Sequence, residues 1–146
     1  MKPVMDVTDL ARFLAAEFPQ VADDFVIETL TADGVEVRLR TAERHLRPGG
    51  TVSGPTMFAL ADVAVYLALL ARIGPVALAV TTGASIDFLR KPAAGRDLIG
   101  TARMLKIGRS LAVGDVLIRG EGSADPLARA TMTYAIPLGT AGAPRG

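Results

Sequence analysis

Asp62 is the only charge between Pro55 and Ala71, in the run PTMFALADVAVYLALLA. Taking an ionised carboxylate out of water is costly unless it is paired or hydrogen-bonded. A carboxylate in such a setting is a candidate for acid–base or nucleophilic chemistry. Just upstream lies the Gly-rich turn Gly49-Gly50-Thr51-Val52-Ser53-Gly54. A turn that opens a helix presents backbone N–H groups with no intrahelical acceptor, a natural anion site. A carboxylate two turns into the same helix is expected to act beside that site.

The elements that must hold these residues follow from periodicity. Leu10, Phe13, Leu14 and Phe18 recur at helical spacing, which predicts a helix over 6–18, capped by Asp6 or Thr8 and stopped by Pro19. Residues 25–30 and 35–39 alternate apolar and polar around Ala32-Asp33-Gly34, a hairpin signature. Residues 41–54 read as loop. Pro55 suits the first turn of a helix, and Gly74-Pro75 ends it. That helix is apolar on nearly every face and so must be buried. Strands are expected over 76–90, with a bulge or bend at Gly83, and over 96–106, 111–120 and 127–136. The order is helix, hairpin, long buried helix, then an antiparallel meander of strands curling around that helix. The fold class is α+β. A long strand ending in Ile86, Phe88 and Leu89 invites edge pairing, which a symmetric dimer would cover. Residues 138–146 are small, Gly- and Pro-rich and expected to be loose.

Bulk composition narrows the function classes. A chain of 146 residues suggests one domain. Half the residues are apolar, the net charge is +1, and no basic block is interleaved with aromatics, which argues against nucleic acid as a partner. There is no cysteine, hence no disulfide, thiolate metal site or cysteine nucleophile. The N-terminal MKPVMDVTDLARFL lacks the apolar core of a signal peptide. The 55–71 run is short for a membrane span and carries an acid at its middle, so a helix wrapped by its own protein is expected. These features are compatible with a reducing cytoplasm.

The stretch from Gly49 to Asp62 resembles the core motif of the hotdog-fold thioesterases, most nearly the phenylacetate-pathway (PaaI-like) acyl-CoA thioesterases. Their pattern is a Gly-rich turn, then His-Gly-Gly at the head of the central helix, then an Asp or Glu on that helix. Ser53-Gly54-Pro55 stands in place of His-Gly-Gly, and Asp62 falls at the carboxylate position. Thr81-Thr82 and Ile86-Asp87-Phe88-Leu89-Arg90-Lys91-Pro92 resemble the long strand ending in a basic-Pro turn, and Lys106-Ile107-Gly108-Arg109-Ser110 the next hairpin. The likeness covers about residues 22–137 of a single domain, 1–146. It implies a hotdog fold, a long helix wrapped by about six antiparallel strands.

The resemblance also implies hydrolysis of an acyl-CoA thioester. Asp62 would be the catalytic carboxylate, activating water or attacking the carbonyl, and the Gly54 N–H would bind the developing oxyanion. Coenzyme A belongs to the substrate; no further cofactor and no metal is implied. A dimer or dimer of dimers with sites between subunits is expected, acting on aromatic or medium-chain acyl groups. Ser53 occupies the family's His position and also suits a helix N-cap. Pro55 removes one N–H but pre-shapes the first turn. Arg47 falls near a frequent family Asn. Tyr66, four residues after Asp62 on nearly the same face, would narrow the pocket or lend its hydroxyl. Arg90, Lys91, Lys106 and Arg109 are expected to meet CoA phosphates, with Gly108 and Ser110 in the adjoining turn. Phe58 and Leu69 read as core, and Asp87 as solvent-facing.

Two other functions fit the departures from the motif. One is a non-catalytic acyl-CoA-binding protein on the same fold. The other is a dehydratase or hydratase in which His45, the sole histidine, works with a helical acid.

Overall fold

The apolar run becomes the centre of the molecule. In the computed structural model, which describes residues 2–137, Gly54–Ile73 is one 20-residue helix, α3, after α1 (Val7–Glu17) and α2 (Pro19–Ala22). From Leu60 to Ile73 every residue except Asp62 is buried. The helix is long and apolar enough to cross a bilayer, yet 78% of its most apolar window is covered by its own protein. It is a core helix, and the sheet wraps it.

That sheet has six antiparallel strands: β1 (Phe25–Leu30), β2 (Gly34–Leu39), β3 (Val80–Phe88), β4 (Leu98–Ile107), β5 (Leu111–Gly120) and β6 (Pro126–Ala135). Their spatial order is β1-β2-β4-β5-β6-β3. This is the expected hotdog arrangement. The simple meander expected after the helix is corrected, because β3 pairs with β6 rather than β4. The chain leaves α3 on the far side of the sheet, lays β3 there as an edge, and returns through residues 89–97 to put β4 beside β2. Sequence-adjacent strands need not pair when a long helix carries the chain across the sheet. The strand expected from Val76 begins at Val80, because residues 76–79 form a turn closed by Ala79 N–H to the Val76 carbonyl. The expected irregularity near Gly83 is present, as the β3–β6 register slips between Thr81 and Gly83.

Local chemistry fixes the ends. Asp6 caps α1 and exchanges reciprocal bonds with Asp9. Pro19 ends α1 as expected, and it also starts the one-turn α2. Gly49 and Gly50 have φ of 102° and 81°, which only glycine adopts cheaply, and so they tighten the turn before α3. Phe58 is a correction: it is 37% exposed, on the strip of α3 that the sheet leaves open. Residues 138–146, expected to be loose, lie outside the described residues.

At the far end of α3, the guanidinium of Arg72 is buried and donates 2.9 Å hydrogen bonds to the carbonyls of Gly34 and Thr31. It thereby clamps the β1–β2 turn onto the helix C-terminus, where a cation also suits the helix dipole. Truncation would strand the Thr31 carbonyl, leave that of Gly34 with only the Thr31 N–H, and open a void. Arg72→Ala is expected to lower stability by about 2–4 kcal/mol, read as a lower urea midpoint.

Candidate active site

Three elements converge on Asp62. The β3–β6 register sets Thr81 directly opposite Tyr134. Opposed residues share a face of the sheet, here the face toward α3. The Tyr134 hydroxyl donates to Asp62 Oδ1 at 2.7 Å, with its oxygen 3.0 Å from the Asp62 carbonyl, and the Thr81 hydroxyl donates to the same Oδ1 at 2.5 Å. Oδ2 receives no protein hydrogen bond among the described residues. The carboxylate is half-buried, so its charge is compensated by donors rather than by a cation. One oxygen is held and the other is left to face a cavity.

Tyr66 lies one turn along α3. Its ring stacks on Tyr134 with centroids 6.0 Å apart, and its hydroxyl donates to the Ala77 carbonyl at 3.1 Å. Phe18, at the α1–α2 corner, meets Tyr66 edge-on at 6.5 Å. A cavity of about 320 Å³ runs between these groups, with Asp62, Tyr66, Thr81, Tyr134, Phe18 and Glu17 among its lining. It is aromatic-walled and has an acid at its base, the mix typical of small-molecule sites.

Gly54 is elsewhere. Eight residues along a helix is about 12 Å, and Gly54 lines a separate cavity of about 610 Å³ with Arg47, Arg90, Lys91, Met57 and Phe88. The structure therefore does not place Gly54 beside Asp62 within one chain. Its N–H is nevertheless available. Pro55 has none, Thr56 N–H is capped by Ser53 Oγ at 3.3 Å, and Met57 N–H goes to the Ser53 carbonyl at 3.1 Å. Gly54 N–H has no protein acceptor among the described residues. Gly54 is not left-handed; a Cβ there would come 3.3 Å from the Phe88 ring, which explains the missing side chain.

The other expected site residues divide. Ser53 is the N-cap, its hydroxyl also 2.9 Å from Thr56 Oγ1, and it lines neither cavity. Pro55 is exposed at the helix start. Arg90 and Lys91 stand with Gly54, whereas Gly108, Arg109 and Ser110 sit at the opposite end of the sheet, where the Ser110 carbonyl takes the Ile136 N–H at 2.8 Å. Asp87 faces solvent and pairs with Arg129 at 2.9 Å. His45 is buried in the loop before α3. Its Nδ1 accepts the Ala42 N–H at 2.9 Å, and its Nε2 lies 3.3 Å from Asp24 Oδ2 but off the hydrogen-bond line. It lines neither cavity, and its carbonyl takes the Ser53 N–H at 2.9 Å, so it shapes the turn that presents Gly54. Tyr134 and Thr81 as direct partners of Asp62 were not legible in the sequence, since only the β3–β6 register brings them there.

Both tyrosines of the chain are in this cavity. Burial, and then the charge of Glu17, pushes the Tyr66 phenol up to about 12. Burial, and then the Asp62 carboxylate, pushes Tyr134 further still. Folding thus favours the protonated phenols. Their contribution to stability is complete below the ordinary tyrosine value of 10.0 and is lost as pH rises above it, because the unfolded phenols ionise first. Titrating the 295 nm tyrosinate absorbance of the folded protein should show almost no ionisation at pH 10. In denaturant both phenols should titrate near that value. Coincident folded and unfolded curves would contradict the burial described.

Comparison with known proteins places this geometry. Residues 49–126, more than half of the chain, match the family model for the thioesterase superfamily. A Silicibacter protein whose crystal structure carries a provisional thioesterase name is 58% identical, with 94% of this chain and 95% of that one covered and a TM-score of 0.88. The phenylacetic acid degradation protein PaaI of Thermus thermophilus, solved as a mutant, is 28% identical over 82% and 99% of the two chains, TM-score 0.70. A hypothetical thioesterase protein of Streptococcus pneumoniae, solved with coenzyme A, shares the fold at 22% identity, TM-score 0.68, over 85% and 93%. No curated protein matches by sequence. The chain belongs to the thioesterase superfamily and is a thioester hydrolase.

Proposed function

We propose that the protein hydrolyses an aromatic or medium-chain acyl-CoA, with Asp62 as general base and the Gly54 N–H of a second subunit as oxyanion donor. The observation that carries this reading is the Asp62 carboxylate, pinned through Oδ1 with Oδ2 open to an aromatic-walled cavity. Oδ2 takes a proton from water, and the water oxygen bonds to the thioester carbon. Negative charge collects on the carbonyl oxygen, where a preorganised N–H stabilises it by about 3–4 kcal/mol. Collapse breaks the C–S bond and releases the acid, and the departing thiolate takes the proton held on Asp62, which restores the carboxylate. Tyr134 and Thr81 orient the carboxylate through Oδ1, and both also line the cavity that takes the acyl group.

The second subunit is argued from β3. Its outer edge is unpaired in the sheet order, and Val80, Phe88 and Leu89 on or beside it are 54%, 52% and 50% exposed. Antiparallel pairing of two β3 edges about an axis near Ala84 sets Val80 of one chain against Phe88 of the other. Val80 lines the Asp62 cavity, and Phe88 covers Gly54. The pairing therefore joins one chain's Asp62 to the partner's Gly54, covers the exposed Phe58 strip, and brings Arg109 toward the partner's Arg90 and Lys91 for the CoA phosphates. Hydrolysis between subunits needs no metal or further cofactor, and a cysteine-free chain suits a cytoplasmic setting.

A thiol-release assay across acyl-CoAs tests the chemistry. Asp62→Asn should lose most turnover. Gly54→Pro should lose about a hundredfold or more by removing one N–H, at a position where Ser53, with ψ of 156°, already has the backbone a proline requires. Co-refolding the two inactive variants should restore about a quarter of wild-type activity, because half the dimers are mixed and each mixed dimer has one intact site. Binding of CoA esters with no Asp62-dependent turnover would instead favour the non-catalytic reading. No recovery on mixing would refute the shared site.

A further inference from the structure

The Asp62 cavity holds a second acid whose role the hydrolysis does not use. Glu17 ends α1 and lines the same cavity as Asp62, Tyr66 and Tyr134. Among the described residues, no arginine, lysine or histidine lines it. The Glu17 carboxylate makes no hydrogen bond or ion pair among the described residues. Its position also runs against local preference. The last turn of α1 carries no basic residue, and the negative end of the helix dipole disfavours a carboxylate there. A rule broken at one end of an otherwise well-capped helix points to function rather than folding.

The corner that carries Glu17 is fixed. Phe18 N–H bonds to the Leu14 carbonyl at 2.9 Å, Pro19 starts α2, and the Phe18 ring abuts Tyr66. Glu17 therefore stands at the rim where an acyl chain lying along Tyr66 and Tyr134 would end, and its field already reaches the Tyr66 phenol. The division of charge across the molecule is consistent with this. Arg47, Arg90 and Lys91 line the Gly54 cavity, which has no carboxylate among the described residues, while two carboxylates line the Asp62 cavity. An anionic carrier is attracted at one end and an anionic acyl terminus is repelled at the other.

We infer that Glu17 is a specificity-determining residue that makes the acyl pocket select neutral acyl groups and reject those ending in a carboxylate. This rests on the reading of the Asp62 cavity as the acyl pocket. Repulsion by Glu17 adds to the cost any apolar pocket imposes on a charged terminus, so the diagnostic quantity is the change in selectivity when Glu17 is altered.

The test uses hexanoyl-CoA and adipoyl-CoA, which share chain length and carrier and differ in the terminal group. Wild type should favour hexanoyl-CoA in kcat/KM by about tenfold or more. Glu17→Gln should shrink that ratio and Glu17→Lys should shrink it further, and added salt should narrow the wild-type ratio. Glu17 is exposed, so both variants should fold, as circular dichroism checks. The same ratio in all three proteins would overturn the inference. If no acyl-CoA is hydrolysed by any of them, the catalytic reading fails separately. Calorimetry with the thioethers S-hexyl-CoA and its ω-carboxylate counterpart then decides the selection alone. A binding ratio that moves with Glu17 upholds it, and a constant ratio or no binding overturns it.

Discussion

An apolar helix of 20 residues must be kept from water on every side, and six strands do not close around it. The sheet curls over most of α3 and stops at β3. What remains uncovered is a strip bearing Pro55, Phe58 and Asp62, beside the unpaired edge of β3. The molecule's chemistry lies along that strip. The carboxylate survives in the helix because the strip is open there, and Tyr134 and Thr81 supply the hydrogen bonds that water would otherwise provide. The same incompleteness leaves apolar surface exposed, so the proposed pairing would meet burial of the helix and completion of the site together.

Charge is arranged along the helix in the same sense as its dipole. The N-terminal end carries the free Gly54 N–H and three cationic side chains, a setting for phosphates and a developing oxyanion. The Asp62 end is apolar, aromatic and acidic. A thioester has the same polarity, a polyanionic carrier on one side of the carbonyl and an acyl group on the other. The two ends are about 12 Å apart on one helix, too far to grip one carbonyl, so in the proposed dimer it is the antiparallel arrangement of two helices that would superimpose base and oxyanion donor.

How much of this was legible depends on the range of the signal. The helix, its start at the Gly-rich turn and Asp62 as its exceptional residue are local patterns, and a lone charge among apolar residues is visible without any contact map. The hairpin and the β4–β5–β6 strands are local too. The place of β3 is not, because it is decided by how the chain crosses the sheet after α3. With β3 misplaced, Thr81 and Tyr134 had no reason to meet, although they are 53 positions apart and directly paired. Glu17 carries no signal in the sequence, and only the cavity shows what it faces. Phe58 read as core because a helix this apolar gives no sign of which face will be left open.

The departures from the family motif are explained by counting donors at the start of α3. A His-Gly-Gly start would leave several backbone N–H groups near the helix terminus. Here Pro55 has no N–H, the Ser53 hydroxyl consumes that of Thr56, and the Ser53 carbonyl takes that of Met57. Ser53 and Pro55 thus remove competing donors while leaving Gly54 N–H unpaired, and His45 holds the turn behind it through its carbonyl. Substitutions that look in sequence like the loss of a catalytic motif leave, in three dimensions, one directed donor. Its direction is set by a proline, a cap and a buried histidine, so the site depends on the rigidity of this turn more than on the identity of the replaced residues.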